Sequence, residues 1–130
     1  MPNPEPEIRR RTAKRKAAVV KAGQDQLLRR LDVIGQRIGN TPCVHLAHES
    51  LELFVKLENG NFVGSIKDRA AYGMIRRGVE TGKITRDTIV IESSSGNLAL
   101  SCAVMCHVLG VRFIAVIDPN INRVYEEFLT

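Results

Sequence analysis

The sequence has few aromatic residues and no apolar run long enough to cross a membrane. Tryptophan is absent, and aromatic residues make up only 5% of the 130 residues. Surfaces that stack the bases of single-stranded nucleic acid need more aromatic side chains than this. The longest apolar runs, such as 111–117, are short and contain a charge at Arg112, whereas a membrane span needs about 20 apolar residues. We therefore expect a soluble protein with no membrane partner.

Cysteine is scarce as well, and its pattern argues against a secreted protein. Cys43, Cys102 and Cys106 are odd in number and lack paired spacing, and the N-terminus does not have the order of a secretory signal. We expect a reducing, cytoplasmic environment. Cys102, Cys106 and His107 lie in the apolar stretch 98–109, where the histidine points away from the two cysteines. This placement favours packing over metal binding, and we expect no metal site.

Charge is distributed unevenly along the chain. Residues 1–30 hold nine Lys and Arg against three Asp and Glu, so their net charge is +6, while residues 31–130 hold ten against eleven and have a net charge of −1. The basic character therefore belongs to the tail and says little about what the folded part binds. We expect residues 1–16 to be a mobile basic extension, and we do not expect nucleic acid as a partner.

Hydrophobic spacing and turn residues divide the rest of the chain into helices and strands. An amphipathic helix is predicted over 17–38, and a second helix from Ser65 to near Gly82. The elements after it alternate as strand, helix, strand and helix, at 88–91, 98–109, 111–117 and 122–129. Two further short strands are predicted at 44–47 and 51–57. The βαβα order predicts an α/β fold with a parallel sheet, in which ligands bind at loops following the strands, here 92–97.

Lys67 is the first candidate for chemistry, within Gly64-Ser65-Ile66-Lys67-Asp68-Arg69. Ser65 and Asp68 have the spacing of a capping box at the start of the second helix. Exposed amides and the positive end of the helix dipole favour a neutral lysine amine there. A neutral amine is the nucleophile that forms an imine with an aldehyde cofactor. The alternative is a solvated lysine on a helix surface.

The second candidate is the loop Glu92-Ser93-Ser94-Ser95-Gly96-Asn97, between a predicted strand and a predicted helix. Backbone amides at a helix start, together with Ser and Asn side chains, form a site for a phosphate or carboxylate. A plain serine-rich turn with Asn97 as the helix N-cap explains the same residues. Glu58 is a third candidate for a functional acid because it ends a predicted strand. A solvated residue at the end of a strand explains its position equally well.

Four motifs taken in order resemble a known family. They are Ile38-Gly39-Asn40-Thr41-Pro42, Val55-Lys56-Leu57-Glu58, the segment from Asn61 to Arg69, and Ser93-Ser94-Ser95-Gly96-Asn97. Together they resemble the cysteine synthase-like pyridoxal-phosphate enzymes of fold type II, from about Ile34 onward. The resemblance implies the parallel-sheet, three-layer α/β fold of the tryptophan synthase β-like class, truncated here. It also implies pyridoxal 5'-phosphate as cofactor, small amino-acid substrates, and a homodimer when complete.

The resemblance also assigns roles to individual residues. Lys67 matches the lysine that forms the Schiff base with the cofactor. Asn97 matches the residue that hydrogen-bonds the cofactor's phenolic oxygen, and Ser94, Ser95 and Asn97 match the residues that bracket the substrate carboxylate. The implied activity is β-replacement on an O-activated L-serine, as part of amino-acid biosynthesis.

Three features place the resemblance in one branch of the family. Leu98-Ala99 follows Asn97 where cysteine synthases have Thr-Gly. The triple serine after Glu92 and the segment Ile117-Asp118-Pro119-Asn120-Ile121 resemble the N-(2-amino-2-carboxyethyl)-glutamate synthases of siderophore and diaminopropionate biosynthesis. This branch implies O-phosphoserine and glutamate as substrates. A cysteine synthase type of enzyme, using O-acetylserine, is the alternative.

The family's phosphate-gripping glycine loop and the residue facing its pyridine nitrogen come from a second half that this sequence does not contain. We therefore expect a fragment, a split gene product or a decayed paralogue. Residues 17–64 are expected to pair with the absent second domain, and residues 65–130 to form a small βαβ domain. An alternative of another class is a non-catalytic interaction protein, whose basic arm 9–21 binds an acidic partner or nucleic acid.

Overall fold

A computed structural model describes residues 5–94, 96–119 and 123–129. Its helices are α1 (Glu5–Gly35), α2 (Lys67–Glu80), α3 (Asn97–Leu109) and α4 (Arg123–Leu129). Its strands are β1 (Cys43–His48), β2 (Leu51–Lys56), β3 (Ile89–Ser93) and β4 (Arg112–Val116), and a short 3-10 turn covers Glu58–Gly60. The predicted elements and their order are confirmed, and so is the α/β class. No helix in these described ranges is long and apolar enough to cross a membrane.

Helix α1 is longer than its sequence pattern predicts. It begins at Glu5, well before the expected start at Ala17, so residues 5–16 of the expected mobile extension are helical. Glu5 and Glu7 lie in the first turn, where acidic side chains interact favourably with the helix dipole. The residues that follow are mostly Arg, Lys and Ala, which are strong helix formers. The helix ends at Gly35, before the predicted end at Ile38. The amides of Arg37 and Ile38 bond to the oxygens of Ile34 and Gly35 in a tighter turn, and Gly39 and Asn40 then adopt positive φ angles of 90° and 49°.

The four strands form two separate sheets of two strands each. Strands β1 and β2 pair with each other as an antiparallel hairpin, with Val44 opposite Val55 and Leu46 opposite Leu53. Strands β3 and β4 pair in parallel, with Val90 opposite Phe113, and α3 supplies the crossover between them. Parallel pairing with a helical crossover is the βαβ unit that the element order predicts.

The core lies where α1, α2 and α3 meet. Leu31, Ile75 and Met105 are fully buried there, one from each helix. Val90 and Phe113 cover this cluster from one face of the β3–β4 sheet. Cys102 and Cys106 are buried in the same cluster, as expected for residues of an apolar helix that pack in the core. In the described ranges no group of three His, Cys, Asp or Glu side chains could hold a metal ion.

The buried face of α2 differs in part from its predicted stripe. Ala71, Ile75 and Val79 are buried as expected, whereas Ala70 is exposed and Met74 is 49% exposed. The fourth buried residue of the helix is Asp68, a charged residue that the hydrophobic pattern does not select. Among the described helices, α2 packs mainly against α1 and α3. Because these two helices cover only one side of α2, its buried face is narrow.

Candidate functional site

Lys67 is the first residue of α2, so it lies in the first turn as predicted, although the helix begins two residues after the predicted start at Ser65. Its backbone amide donates a hydrogen bond to Ser65 Oγ over 3.1 Å. The side chain is exposed, and within the described part of the chain its ammonium group has no hydrogen-bond or ion-pair partner. Lys67 therefore presents an uncommitted amine at the start of a helix.

Asp68 holds the loop in front of Lys67. Its Oδ2 accepts hydrogen bonds from the amides of Val63 and Gly64, over 2.6 and 3.1 Å. The predicted capping box is wrong in detail, because the Asp68 amide bonds to the backbone oxygen of Ser65 rather than to its hydroxyl. Asp68 reaches further back than a capping box requires, so it fixes the turn that Gly64 makes with a φ of 109°.

Asp68 also connects α2 to α3. Its Oδ1 accepts a hydrogen bond of 2.5 Å from the hydroxyl of Ser101, and both side chains are completely buried. Ser101 lies one helical turn after Asn97, the first residue of α3. The N-terminal turns of α2 and α3 therefore lie side by side, and Lys67 and Asn97 begin neighbouring helices at the same end of the molecule.

The loop between β3 and α3 brings polar groups to this end. Gly96 is the N-cap and provides no side-chain hydrogen bond, so Asn97 is the first helical residue and not the N-cap. Asn97 Oδ1 accepts a hydrogen bond of 2.7 Å from the hydroxyl of Tyr125, and no described residue accepts a hydrogen bond from its side-chain amide group. Ser94 is half-buried beside them, and Ser95 lies outside the described residues.

A second polar cluster braces the same loop from the other side. Arg69 forms a two-point ion pair with Glu58, Nε to Oε2 over 2.8 Å and Nη2 to Oε1 over 2.9 Å. Thr41 Oγ1 and Asn61 Nδ2 each donate to the same carboxylate over 2.8 Å. These contacts, with the Arg69 hydrogen bonds the largest cause, lower the pKa of Glu58 to about 2. Glu58 is therefore a structural acid and not a solvated strand end.

Asn61 carries this bracing across the loop. Its Oδ1 accepts from the Gly39 amide over 2.8 Å, and its Nδ2 donates to the backbone oxygens of Glu58 and Ser65, over 2.8 and 3.0 Å. Lys56 Nζ donates to the backbone oxygen of Thr41. Local periodicity does not reveal these contacts, but the motifs Ile38–Pro42, Val55–Glu58 and Asn61–Arg69 contain every one of the residues.

The buried thiols contribute nothing nucleophilic to this end of the molecule. Burial raises the pKa of Cys102 to about 11 and the pKa of Cys106 to about 12, with smaller contributions from Glu92 and from the neighbouring Cys102 thiol, respectively. A recess of about 750 Å³ lies between the end of α1 and the 58–62 loop, and neither Lys67 nor Asn97 lines it. The candidate site is thus an open surface at the starts of α2 and α3.

Comparison with known proteins shows the family of the chain. Residues 34–126 match the family described as "Pyridoxal-phosphate dependent enzyme". The chain belongs to this family, whose members use pyridoxal phosphate as cofactor.

Individual relatives agree with the family match. The chain is 51% identical over 89 residues to an N-(2-amino-2-carboxyethyl)-L-glutamate synthase of Ralstonia nicotianae, covering 65% of this chain and 26% of that protein. It is 39% identical over 97 residues to cysteine synthase B of Campylobacter jejuni, covering 75% and 32%. The structure of a hydrogen sulfide-producing enzyme from Fusobacterium nucleatum superposes with a TM-score of 0.68 at 32% identity, covering 74% and 33%. The chain thus spans between a quarter and a third of the length of these proteins.

The residues present suit an aldehyde cofactor of this kind. Such a group needs an amine without a competing partner, a hydrogen-bond donor for its ring oxygen, and free space. Lys67 provides the amine, and the Tyr125 hydroxyl on Asn97 Oδ1 orients the Asn97 amide, whose hydrogens have no acceptor among the described residues. A Cβ atom placed on Gly96 would meet no other atom within 4 Å, so the loop has room beside it.

Proposed function

We propose that the chain forms the N-terminal part of a pyridoxal-phosphate-dependent β-replacement enzyme acting on an O-activated L-serine. The observation that carries the proposal is the buried hydrogen bond between Asp68 and Ser101. It holds the uncommitted amine of Lys67 and the polar loop before Asn97 at one end of two adjacent helices. Family membership and the relatives support the same reading.

Each candidate residue then has a defined task. Lys67 would hold the cofactor covalently, and its amine would move a proton at the α-carbon of the substrate. Asn97 donates a hydrogen bond to the ring oxygen of the cofactor. Ser94, Ser95 and Asn97 bind the substrate carboxylate, aided by the uncapped first-turn amides of α3. When bound, pyridoxal phosphate withdraws electrons from the bonds to the substrate α-carbon.

For substrates we propose O-phosphoserine and glutamate, with a role in making an amino acid or a siderophore precursor in the cytoplasm. The higher identity to the N-(2-amino-2-carboxyethyl)-L-glutamate synthase than to cysteine synthase B supports this choice. Leu98-Ala99 offers no hydroxyl directly after Asn97, which disfavours the O-acetylserine alternative. Efficient cysteine formation from O-acetylserine and sulfide by the complete enzyme would reverse the assignment.

Borohydride reduction tests the role of Lys67. In the complete, cofactor-loaded enzyme, reduction followed by peptide mapping should place a pyridoxyl group on the peptide containing Lys67. A Lys67→Ala variant should lose the adduct and remain folded, because an exposed lysine contributes little to packing. Lys83→Ala removes another exposed lysine and should leave the adduct in place. An adduct on another lysine, or none, would show that Lys67 does not hold the cofactor.

A further inference from the structure

The first half of α1 projects from the body of the protein as a bare helix. The described side chains from Glu5 to Ala22 are all exposed. Val19, Val20 and Gly23 border a recess that α1 forms with residues 82–87 of the body. Hydrogen bonds to the body begin at Gln24, whose Nε2 donates to the backbone oxygens of Val79 and Glu80 over 2.7 and 2.9 Å, and burial follows at Leu27 and Leu31. Because the packed half of α1 supplies the nucleus, the projecting half extends an existing helix and avoids the cost of starting one.

The enzyme family does not account for this segment. The family match begins at residue 34, after the projecting residues 5–22 have ended. The core residues of α1 lie at 27, 31 and 34, so the fold uses only the second half of the helix. We infer a function for the projecting half that is independent of the proposed enzymatic activity.

Cations surround the whole circumference of the projecting helix. Residues 5–22 contain seven Lys and Arg and two Glu. At 100° per residue, Arg10, Lys14 and Lys21 lie on one side, Arg11 and Arg15 on a second, and Arg9 and Lys16 on a third. Arg9 and Arg11 have ion-pair partners in Glu5 and Glu7, at 4.0 and 2.8 Å. The other five have no acidic partner within the described ranges, so they are available to an external anion.

The composition of the segment excludes several kinds of partner. A helix lying on a membrane, or in an apolar groove of a protein, needs a continuous apolar stripe. The large apolar residues described in this segment are Ile8, Val19 and Val20. Val19 and Val20 border the recess against residues 82–87 of the body, so no continuous apolar stripe runs along the helix. Single-stranded nucleic acid is bound by stacking on aromatic side chains, and residues 5–22 contain none.

Double-stranded DNA matches the remaining features. Its major groove admits an α-helix and places phosphates on both sides of that helix. Cations on every side of the helix can therefore contact phosphates, whereas a flat acidic surface would contact the cations on one side only. The major groove of A-form RNA is too narrow for side chains to enter. The projecting segment is about 27 Å long, which is most of one turn of DNA, and four of its seven cations are arginines, which bind phosphate at two points.

We propose that the projecting half of α1 binds the major groove of double-stranded DNA through phosphate contacts. Binding of this kind releases counterions and depends steeply on salt. With about five phosphate contacts the association constant should fall roughly twenty-fold for each doubling of the salt concentration. From the charge of residues 31–130 we expected no nucleic-acid partner. Under this proposal that expectation applies to the body of the protein and not to α1.

Fluorescence anisotropy with the full chain and a labelled duplex of about 20 base pairs tests the proposal. A variant with five substitutions to glutamine removes the unpaired cations and retains helix propensity; the residues are Arg10, Lys14, Arg15, Lys16 and Lys21. The wild-type chain should bind with the steep salt dependence, and this variant should lose binding by at least a hundredfold. Far-UV circular dichroism should show unchanged helix content.

A matched control removes five exposed cations from the body instead, again by substitution to glutamine; the residues are Arg37, Arg77, Lys83, Arg86 and Arg123. This control should bind the duplex within a few-fold of the wild-type chain. Equal losses in the two variants would overturn the proposal, since binding would then reflect total charge. Tighter binding to a polyglutamate peptide, or to vesicles of anionic lipid, than to the duplex would also overturn it.

Discussion

Asp68 and Ser101 are joined by a hydrogen bond of 2.5 Å between two side chains that solvent does not reach. Asp68 follows the candidate cofactor lysine directly, and Ser101 lies one turn after Asn97. The same carboxylate accepts hydrogen bonds from the backbone amides of Val63 and Gly64. A single buried acid therefore sets the loop before Lys67 and fixes that loop against the helix that begins at Asn97.

Removing the Ser101 hydroxyl should weaken the protein measurably. In Ser101→Ala one oxygen of a buried carboxylate loses its partner, which typically costs about 1–3 kcal/mol of unfolding free energy. Urea denaturation measures this difference. Ser50→Ala removes an exposed hydroxyl from the β1–β2 turn and should change stability by less than about 0.5 kcal/mol. If the two variants are equally stable, the Asp68–Ser101 bond does not join the helices.

Glu58 gives the protein a pH dependence of known sign. Its pKa is lowered from 4.5 to about 2 in the folded state, so the folded protein binds the proton less tightly than the unfolded chain. The contribution of the Glu58 carboxylate to stability is therefore fully present above pH 4.5 and is lost as the pH falls toward 2. A Glu58→Gln variant should be less stable than the wild type at pH 7, and the gap should narrow between pH 4.5 and 2.

Glu49→Gln is the control for this effect, because Glu49 is an exposed residue of the hairpin turn. Its unfolding free energy should follow that of the wild type across the same pH range. A gap between wild type and Glu58→Gln that does not change between pH 7 and 2 would mean that Glu58 keeps an ordinary pKa. Urea midpoints at each pH measure both variants.

The elements that position the site follow from local sequence, whereas the contacts that fix it do not. The start of α2 and the loop that follows β3 are both set by neighbouring residues, and the sequence pattern places each to within two residues. Helix α2 begins at Lys67 and not at Ser65, and Glu92 and Ser93 end β3 before the loop begins. The Asp68–Ser101 and Glu58–Arg69 contacts join residues from separate elements, and hydrophobic periodicity carries no information on such pairs. An acid just inside a helix is expected to serve as a cap, so the burial of Asp68 becomes evident only with α3 packed beside it.

Substitution by alanine should change the stability of the protein in opposite directions at two glycines of α2. A Cβ atom on Gly78 would lie 2.5 Å from Ile84 Cδ1 and 2.7 Å from Cγ1, whereas a Cβ atom on Gly73 would meet nothing within 4 Å. Gly73→Ala should therefore stabilise the protein by about 0.5–1 kcal/mol through helix propensity alone. Gly78→Ala should destabilise it, because Ile84 packs against the core and must move. Thermal unfolding compares them, and equal shifts of the two midpoints would contradict the packing of Ile84 on α2.

The three cysteines should differ sharply in reactivity. Cys43 is exposed, while Cys102 and Cys106 are buried and have pKa values raised to about 11 and 12. A thiol reagent at pH 8 should therefore modify one cysteine quickly and the other two only after denaturation, because the thiolate is the reactive form. Mass spectrometry of digested peptides identifies the sites. Rapid labelling of Cys102 in the native protein would mean that α3 is not packed as described.

The 130-residue chain by itself should associate and lack turnover. Ile91, Ile114 and Val116 are 62, 48 and 51% exposed on one face of the β3–β4 sheet, and a two-stranded sheet with open edges is marginal in water. These side chains would be covered if the rest of the enzyme packs on them.

Lysine substitutions at Ile91 and Ile114 should reduce the association, whereas Val19→Lys, equally exposed but on the projecting helix, should not. Sedimentation velocity reports the oligomeric state, and addition of the separately produced remainder of the enzyme should restore both solubility and turnover. A monodisperse wild-type chain that turns over O-phosphoserine unaided would show that the site at Lys67 and Asn97 needs no second domain.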